Sequence, residues 1–213
     1  MKSLLRTLAT AMLGVLSFAA VALAAPAVDF SGTTVDWNDG TNYSLGWSFT
    51  ATQDLYVNSL GVYAAPEFGT GNRIFTQDHA VGIFDANKNL IASTTVSNTD
   101  ALNGYFRYHA LASLVQLNSG STYFIAAAMG ADQYTWDTTG FTVNPLITYN
   151  GSFYNASNGL TFPTTPDDMT AMANGTFGPN MDVTPTPIPA AFWLLGSGLG
   201  MLGAARRKKM AQK

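Results

Sequence analysis

The sequence predicts an all-β, antiparallel sandwich or jelly-roll-like domain, flanked by an N-terminal signal helix and a C-terminal transmembrane helix. Three observations carry that expectation. Between Ser44 and Met129, apolar residues alternate with small or polar ones at the two-residue period of half-buried strands. Turn-forming clusters interrupt these runs at short intervals. No stretch of about 15 residues in this region presents a helical apolar stripe. Many short strands with regular turns bury their apolar faces as stacked antiparallel sheets.

Taken in order, the chain opens with Lys2 and Arg6 ahead of an apolar run from Leu8 to Leu23. Ala22-Leu23-Ala24 then supplies small residues, so residues 1–24 read as a secretory signal peptide. Cleavage after Ala24 leaves Ala25 first, whereas cleavage after Ala25 places Pro26 immediately downstream, a poor context for signal peptidases. An uncleaved N-terminal anchor is the alternative.

The exported domain is expected over residues 25–162. Leu45, Trp47 and Phe49 alternate with Gly46, Ser48 and Thr50. Leu55 to Tyr63 is a second β-rich run, with Gly61 a candidate bulge. Ala80 to Phe84 and Leu90 to Val96 flank the turn Asp85-Ala86-Asn87-Lys88-Asn89 and predict a hairpin. Tyr105 to Leu111, Leu114 to Leu117 and Thr122 to Met129 continue the series as separate strands, with Asn118-Ser119-Gly120 a turn. Residues 131–162, polar and aromatic, predict the last strands and a long loop. Residues 163–186 mix Pro, Thr, Gly, Asn and Asp without periodicity and read as a flexible stalk.

The C-terminal segment has three parts. Pro187, Ile188, Pro189, Ala190 and Ala191 form a proline motif; 190–205 is uncharged; Arg206, Arg207, Lys208 and Lys209 form a basic cluster. As a helix the uncharged run measures about 24 Å, against roughly 30 Å of bilayer hydrocarbon. Phe192 and Trp193 suit one interface and snorkelling arginine stems the other, with the basic end cytoplasmic. Gly196, Gly200 and Ala204 make a small-residue stripe suited to close helix approach.

This order of parts over 187–209 resembles the PEP-CTERM class of sorting domains, in its VPLPA-CTERM form. Thr186 stands where valine is usual and Ile188 where leucine is usual, while Trp193-Leu194-Leu195-Gly196-Ser197-Gly198-Leu199 is similar to the family's membrane segment. The resemblance implies a substrate of an exosortase, a membrane-embedded processing enzyme, in a Gram-negative bacterium that makes extracellular polysaccharide. A plain C-terminal membrane anchor is the alternative. Gly46-Trp47-Ser48-Phe49-Thr50, Ser59-Leu60-Gly61-Val62, His79-Ala80-Val81-Gly82-Ile83-Phe84-Asp85, Leu90-Ile91-Ala92-Ser93, Phe106-Arg107-Tyr108 and Ser121-Thr122-Tyr123-Phe124-Ile125-Ala126-Ala127 resemble an uncharacterised β-sandwich domain of bacterial surface proteins. That likeness implies a fold and no activity.

Charge and composition narrow the function. All 13 acidic residues lie between Asp29 and Asp182, where only Arg73, Lys88 and Arg107 are basic, which leaves that stretch ten charges negative. Such a surface repels phosphate backbones, so nucleic acid is not an expected partner. The chain has no cysteine, hence no disulfide or thiolate site. Asp85 to Asn89 opens like a calcium loop, but Leu90 and Val96 stand where that loop needs glycine and glutamate. No metal or cofactor is implied. Asp78, His79 and His109 could join a serine triad, yet no nucleophile elbow occurs and both histidines sit in strand patterns. Asp85 and Asp100 are the nominal glycosidase carboxylates, and nothing singles them out. Asp167-Asp168 reads as a solvated pair within the stalk.

The expectation is therefore no catalytic residue and no enzyme, but an exported surface or extracellular-matrix protein. The alternative is a module that binds exopolysaccharide through Trp37, Tyr134, Trp136 and Tyr154, whose rings could stack on sugars while neighbouring Asn and Asp bind hydroxyls. If those four aromatics instead pack inside the sheets, that alternative loses its basis.

Overall fold

The computed structural model describes residues 23–136, 138–167 and 174–187. Ala22 of the expected cleavage site lies outside them, as do Ile188, Pro189, Ala190 and Ala191, the apolar run 190–205 and the basic cluster Arg206 to Lys209.

In chain order the strands are β1 (Ala25–Pro26), β2 (Val28–Asp29), β3 (Val35–Trp37), β4 (Tyr43–Ala51), β5 (Leu55–Tyr63) and β6 (Ala65–Pro66). Then come β7 (Arg73–Ile74), β8 (His79–Asp85), β9 (Leu90–Val96), β10 (Ala101–Asn103), β11 (Phe106–Leu117) and β12 (Thr122–Ala128). The last five are β13 (Tyr134–Trp136), β14 (Thr142–Val143), β15 (Ile147–Ala156), β16 (Thr165–Pro166) and β17 (Pro179–Pro185). The described chain is all-β and its ladders are antiparallel.

One sheet has the order β1-β17-β5-β11-β10, the other β16-β15-β4-β12-β8-β9, with two-stranded ribbons β13-β3, β14-β2 and β6-β7 beside them. The two large sheets share one core. Leu45, Trp47 and Phe49 of β4, Ile83 of β8 and Ile125 of β12 meet Leu55, Leu60, Leu117, Met181 and Val183 from the other sheet. The Trp47 indole crosses the interface and donates to the carbonyl of Pro179 at 2.9 Å, satisfying the one polar atom of a fully buried side chain.

The outer face of the six-stranded sheet is covered too. Small residues at Ser44 and Gly82 leave room for the segment after β15, where Ser44 Oγ donates to the carbonyl of Thr161 at 2.6 Å. An added Cβ at Gly82 would meet Leu90 and Leu160 at 2.6 and 3.0 Å. Phe162 then packs on Phe84 and Phe124 with centroids 5.7 and 4.6 Å apart.

Three sequence expectations need correction. The described residues of 163–186 are not a stalk, and the domain does not end at 162: β17 lies between β1 and β5, with Asn180 and Met181 fully buried. Proline at both ends of β17 hid the strand, although its interior reads Asn-Met-Asp-Val-Thr. The expected strands Tyr105 to Leu111 and Leu114 to Leu117 are one strand, β11, whose register shifts between Ala110 and Val115. Gly61 marks no bulge. It makes room for the Tyr108 ring, 2.7 Å from where its Cβ would stand, and the irregularity of the β17–β5 ladder falls at Asp182 and Val183.

The register fixes a polarity. Ala25 pairs with Val183, and Thr186 donates its amide to the carbonyl of Asp54 at 3.2 Å, so both ends of the described chain lie at one pole. Tyr63 donates to the carbonyl of Gly178, and Thr135 to that of Phe177, at the opposite pole. The length of β17 separates the poles by about 25 Å.

Candidate functional site

The pole opposite the chain ends carries an open cleft of about 430 Å³, lined by Trp37, Asp39, Tyr43, Leu45, Tyr134, Trp136, Tyr154, Asp167 and Thr176. All four aromatics nominated from sequence are in it. Its volume falls in the roughly 300–1,000 Å³ range of small-molecule sites.

The β3–β13 ribbon builds one wall. Trp37 pairs with Tyr134 and Val35 with Trp136. Because side chains alternate along a strand, Trp37, Tyr134 and Trp136 share one face. Asp36 and Thr135 take the other, where Tyr63 donates to Asp36 Oδ1 and Thr135 donates to the carbonyl of Val35 at 3.1 Å. The second wall is the start of β4 against the end of β15, where Leu45 pairs with Tyr154. Tyr43 joins the walls, its ring edge-on to Tyr134 and Tyr154 with centroids 6.2 and 5.7 Å away. Trp37 is 50% exposed, the largest aromatic surface on the rim. Tyr134 is buried and part of the hydrophobic core, and Trp136 and Tyr154 are half-buried, Tyr154 packed against that core.

The turn 38–41 sets the rim. Asn38 donates to the carbonyls of Ala131 and Asp132, tying the end of β3 to the loop before β13. Asp39 Oδ1 accepts the Thr41 amide at 2.9 Å and Oδ2 the Tyr43 hydroxyl at 2.7 Å. Those two bonds, Tyr43's first, hold the Asp39 carboxyl below the usual range. The same bond, then burial, raises the Tyr43 phenol. Burial, followed by the charges of Asp39, Tyr43 and Asp167, raises the Tyr134 phenol far above its ordinary value. Asp167 Oδ2 is buried, with no hydrogen-bond donor among the described residues, and the indole nitrogen of Trp136 is likewise buried without an acceptor.

Asp39, Tyr43, Leu45, Asp167 and Thr176 were not legible as site residues. Local sequence suggests a solvated Asp167 within a stalk; its amide instead donates to the carbonyl of Ser152 at 3.0 Å, which pins it to β15. The spacing Tyr134-x-Trp136 within a strand is the one local signal that would have placed two of the aromatics on one face.

The histidines lie elsewhere. His79 is fully buried, its Nδ1 donating to the carbonyl of Ala128 at 2.7 Å. Its Nε2 lies 3.1 Å from Asp132 Oδ2 without forming a hydrogen bond. Asp132 in turn accepts the amides of Thr76 and Gln77. His109 pairs with Asp100 at 2.9 Å on the surface. Asp85 Oδ1 accepts the amides of Asn87 and Asn89 and shapes the β8–β9 turn.

These features define the class: an antiparallel two-sheet β protein with an aromatic cleft at one pole. Residues 30–174 match the family described as Domain of unknown function (DUF4082), and the chain belongs to that family. The matched span leaves out β1, β2 and the buried strand β17. No curated protein matches the chain. Among solved structures, the crystal structure of the infectious bursal disease virus VP2 subviral particle matches with 10% identity and a TM-score of 0.27. The match covers 78% of this chain, which spans 42% of that one.

Proposed function

We propose that the protein is an exported, non-enzymatic surface or extracellular-matrix protein whose polar cleft holds polysaccharide. The convergence of Trp37, Tyr134, Trp136 and Tyr154 in one open cleft carries this reading. Aromatic faces meet the C–H faces of sugar rings, and the Asp39 carboxylate on the same cleft can accept from sugar hydroxyl groups. The fold is a jelly-roll-like sandwich, completed by a signal helix at 1–24 and a transmembrane helix at 190–205.

Delivery follows from the terminal segments. The chain is exported, held in the inner membrane with its basic end cytoplasmic, and released by an exosortase-like enzyme at the motif that begins at Pro187. Thr186 is bonded to Asp54 at the pole facing away from the cleft, so attachment there leaves the cleft outward. Cleavage near Pro189 would also leave β17 whole.

Two measurements test the two halves. Mass spectrometry of protein recovered from biofilm should find a C-terminus near Pro189; chains in mature matrix still ending at Lys213 would refute the sorting half. Affinity electrophoresis on the producing cell's exopolysaccharide should show Trp37→Ala and Trp136→Ala each binding up to about tenfold more weakly, the scale of one aromatic contact. Equal mobility of wild type and both variants with and without the polysaccharide would refute the binding half.

A further inference from the structure

The cleft is aromatic and acidic at once. Asp39 and Asp167 line it, and no lysine, arginine or histidine does. The three basic residues between Asp29 and Asp182 are all engaged elsewhere. Arg73 lies over the Tyr105 ring at 4.2 Å, Arg107 donates to the carbonyls of Arg73 and Asp100, and Lys88 lies over Phe162. The described ion pairs both involve histidine and neither includes a cleft residue. The negative charge at the cleft therefore has no internal counter-charge among the described residues.

Resting on the glycan reading above, we infer that the cleft selects a polysaccharide carrying free primary amines, that is, amino sugars without their acyl groups. Two attractions converge on such a ligand. Aromatic rings draw an ammonium to their faces through the ring quadrupole, and acidic side chains on the same cleft attract it as a cation. Trp37 offers its ring at the rim, and Tyr43 brings Asp39 beside the Tyr134 ring. A neutral glycan keeps the stacking and loses the charge attraction. A uronic-acid polymer meets two like charges and is excluded.

The test uses the full chain in a detergent without a sugar headgroup. Binding is followed by tryptophan fluorescence with four probes: a glucosamine oligomer, an N-acetylglucosamine oligomer of equal length, an oligogalacturonate and oligolysine. The glucosamine oligomer should bind about 5- to 10-fold tighter than its acetylated counterpart at low salt, the scale of one partly exposed charge pair plus a cation–π contact. The preference should shrink in 0.5 M salt, with a Debye length of about 4 Å. Asp39→Asn and Asp167→Asn should each reduce that preference, read as the ratio of the two affinities, with near-UV circular dichroism reporting whether each variant is folded. The salt titration stands if either variant misfolds. Equal affinity for both hexosamine oligomers overturns the charge inference and leaves the glycan reading standing. Oligolysine binding alone overturns it in favour of a peptide. No binding of any saccharide overturns both.

Discussion

Replacing Met181 by alanine separates a strand from a stalk. Met181 sits in β17, pairs with Leu60 and is fully buried. The change deletes three side-chain atoms, each worth about 0.8 kcal/mol of transfer from water, or about 2.4 kcal/mol together. If about 40 Å³ of the vacated space stays open, the cavity adds about 1 kcal/mol at 24 cal/mol per Å³. The total is about 3 kcal/mol. A domain of this size loses roughly 2–4 °C of Tm per kcal/mol, so the variant should melt about 6–12 °C below wild type. Far-UV circular dichroism on the full chain reads this directly. Pro187→Ala, at an exposed residue beyond the strand, is the control and should leave Tm unchanged. Melting of Met181→Ala within 2 °C of wild type would mean that 179–185 does not pack in the core, and the reasoning fails.

Three further predictions concern the same strand. Asn180 donates to the carbonyl of Val28 at 2.7 Å and accepts the Met181 amide at 2.8 Å, both buried, so Asn180→Ala should cost about 2 kcal/mol in a urea titration. Burial raises the Asp182 carboxyl, against a smaller lowering by the Ser59 hydroxyl, and its Oδ1 has no partner. A raised carboxyl favours its neutral form in the fold, so its destabilising effect is full above the folded pKa and vanishes below the unfolded one, about pH 4. Asp182→Asn should therefore raise Tm at pH 7.5 and give little gain at pH 3.5; equal gains at both would refute the assignment. A chain stopped after Gly178 lacks Met181 and Val183 and leaves β5 unpaired on one side, so it should lose its cooperative melt and be degraded by proteinase K.

Most of the strand series was legible because half-buried strands write their period into sequence. Leu55–Tyr63 and Leu90–Val96 were read to the residue. What failed was non-local. β11 is one strand because β5 pairs along it on both sides of the shift, and nothing within Leu111 to Leu114 says so. β17 has prolines at both ends, a half-buried Asp and a buried Asn, all of which read locally as loop; its place is set by β5 and β1, over a hundred residues away. The cleft divides the same way. Large aromatics among polar residues flag four of its lining residues, whereas Asp39 and Asp167 come into it only because a turn and a pairing with β15 place them there.

The topology makes the first and last described strands structural. β1 is the first described strand and β17 the last, and they are neighbours, with Ala25 opposite Val183. Contacts between residues so distant in sequence carry a loop-closure cost before they return any packing. The core between the sheets cannot close around Leu60 until Met181 arrives, and Met181 arrives with the final segment of the domain. Only Thr186 separates β17 from Pro187, and Thr186 is itself bonded to Asp54. A stalk would let the domain fold and turn independently of whatever follows it. Here the strand that completes the core is also the lead into the C-terminal segment, so constraint on that segment is transmitted directly into the sheet, about 25 Å from the cleft along one continuous strand.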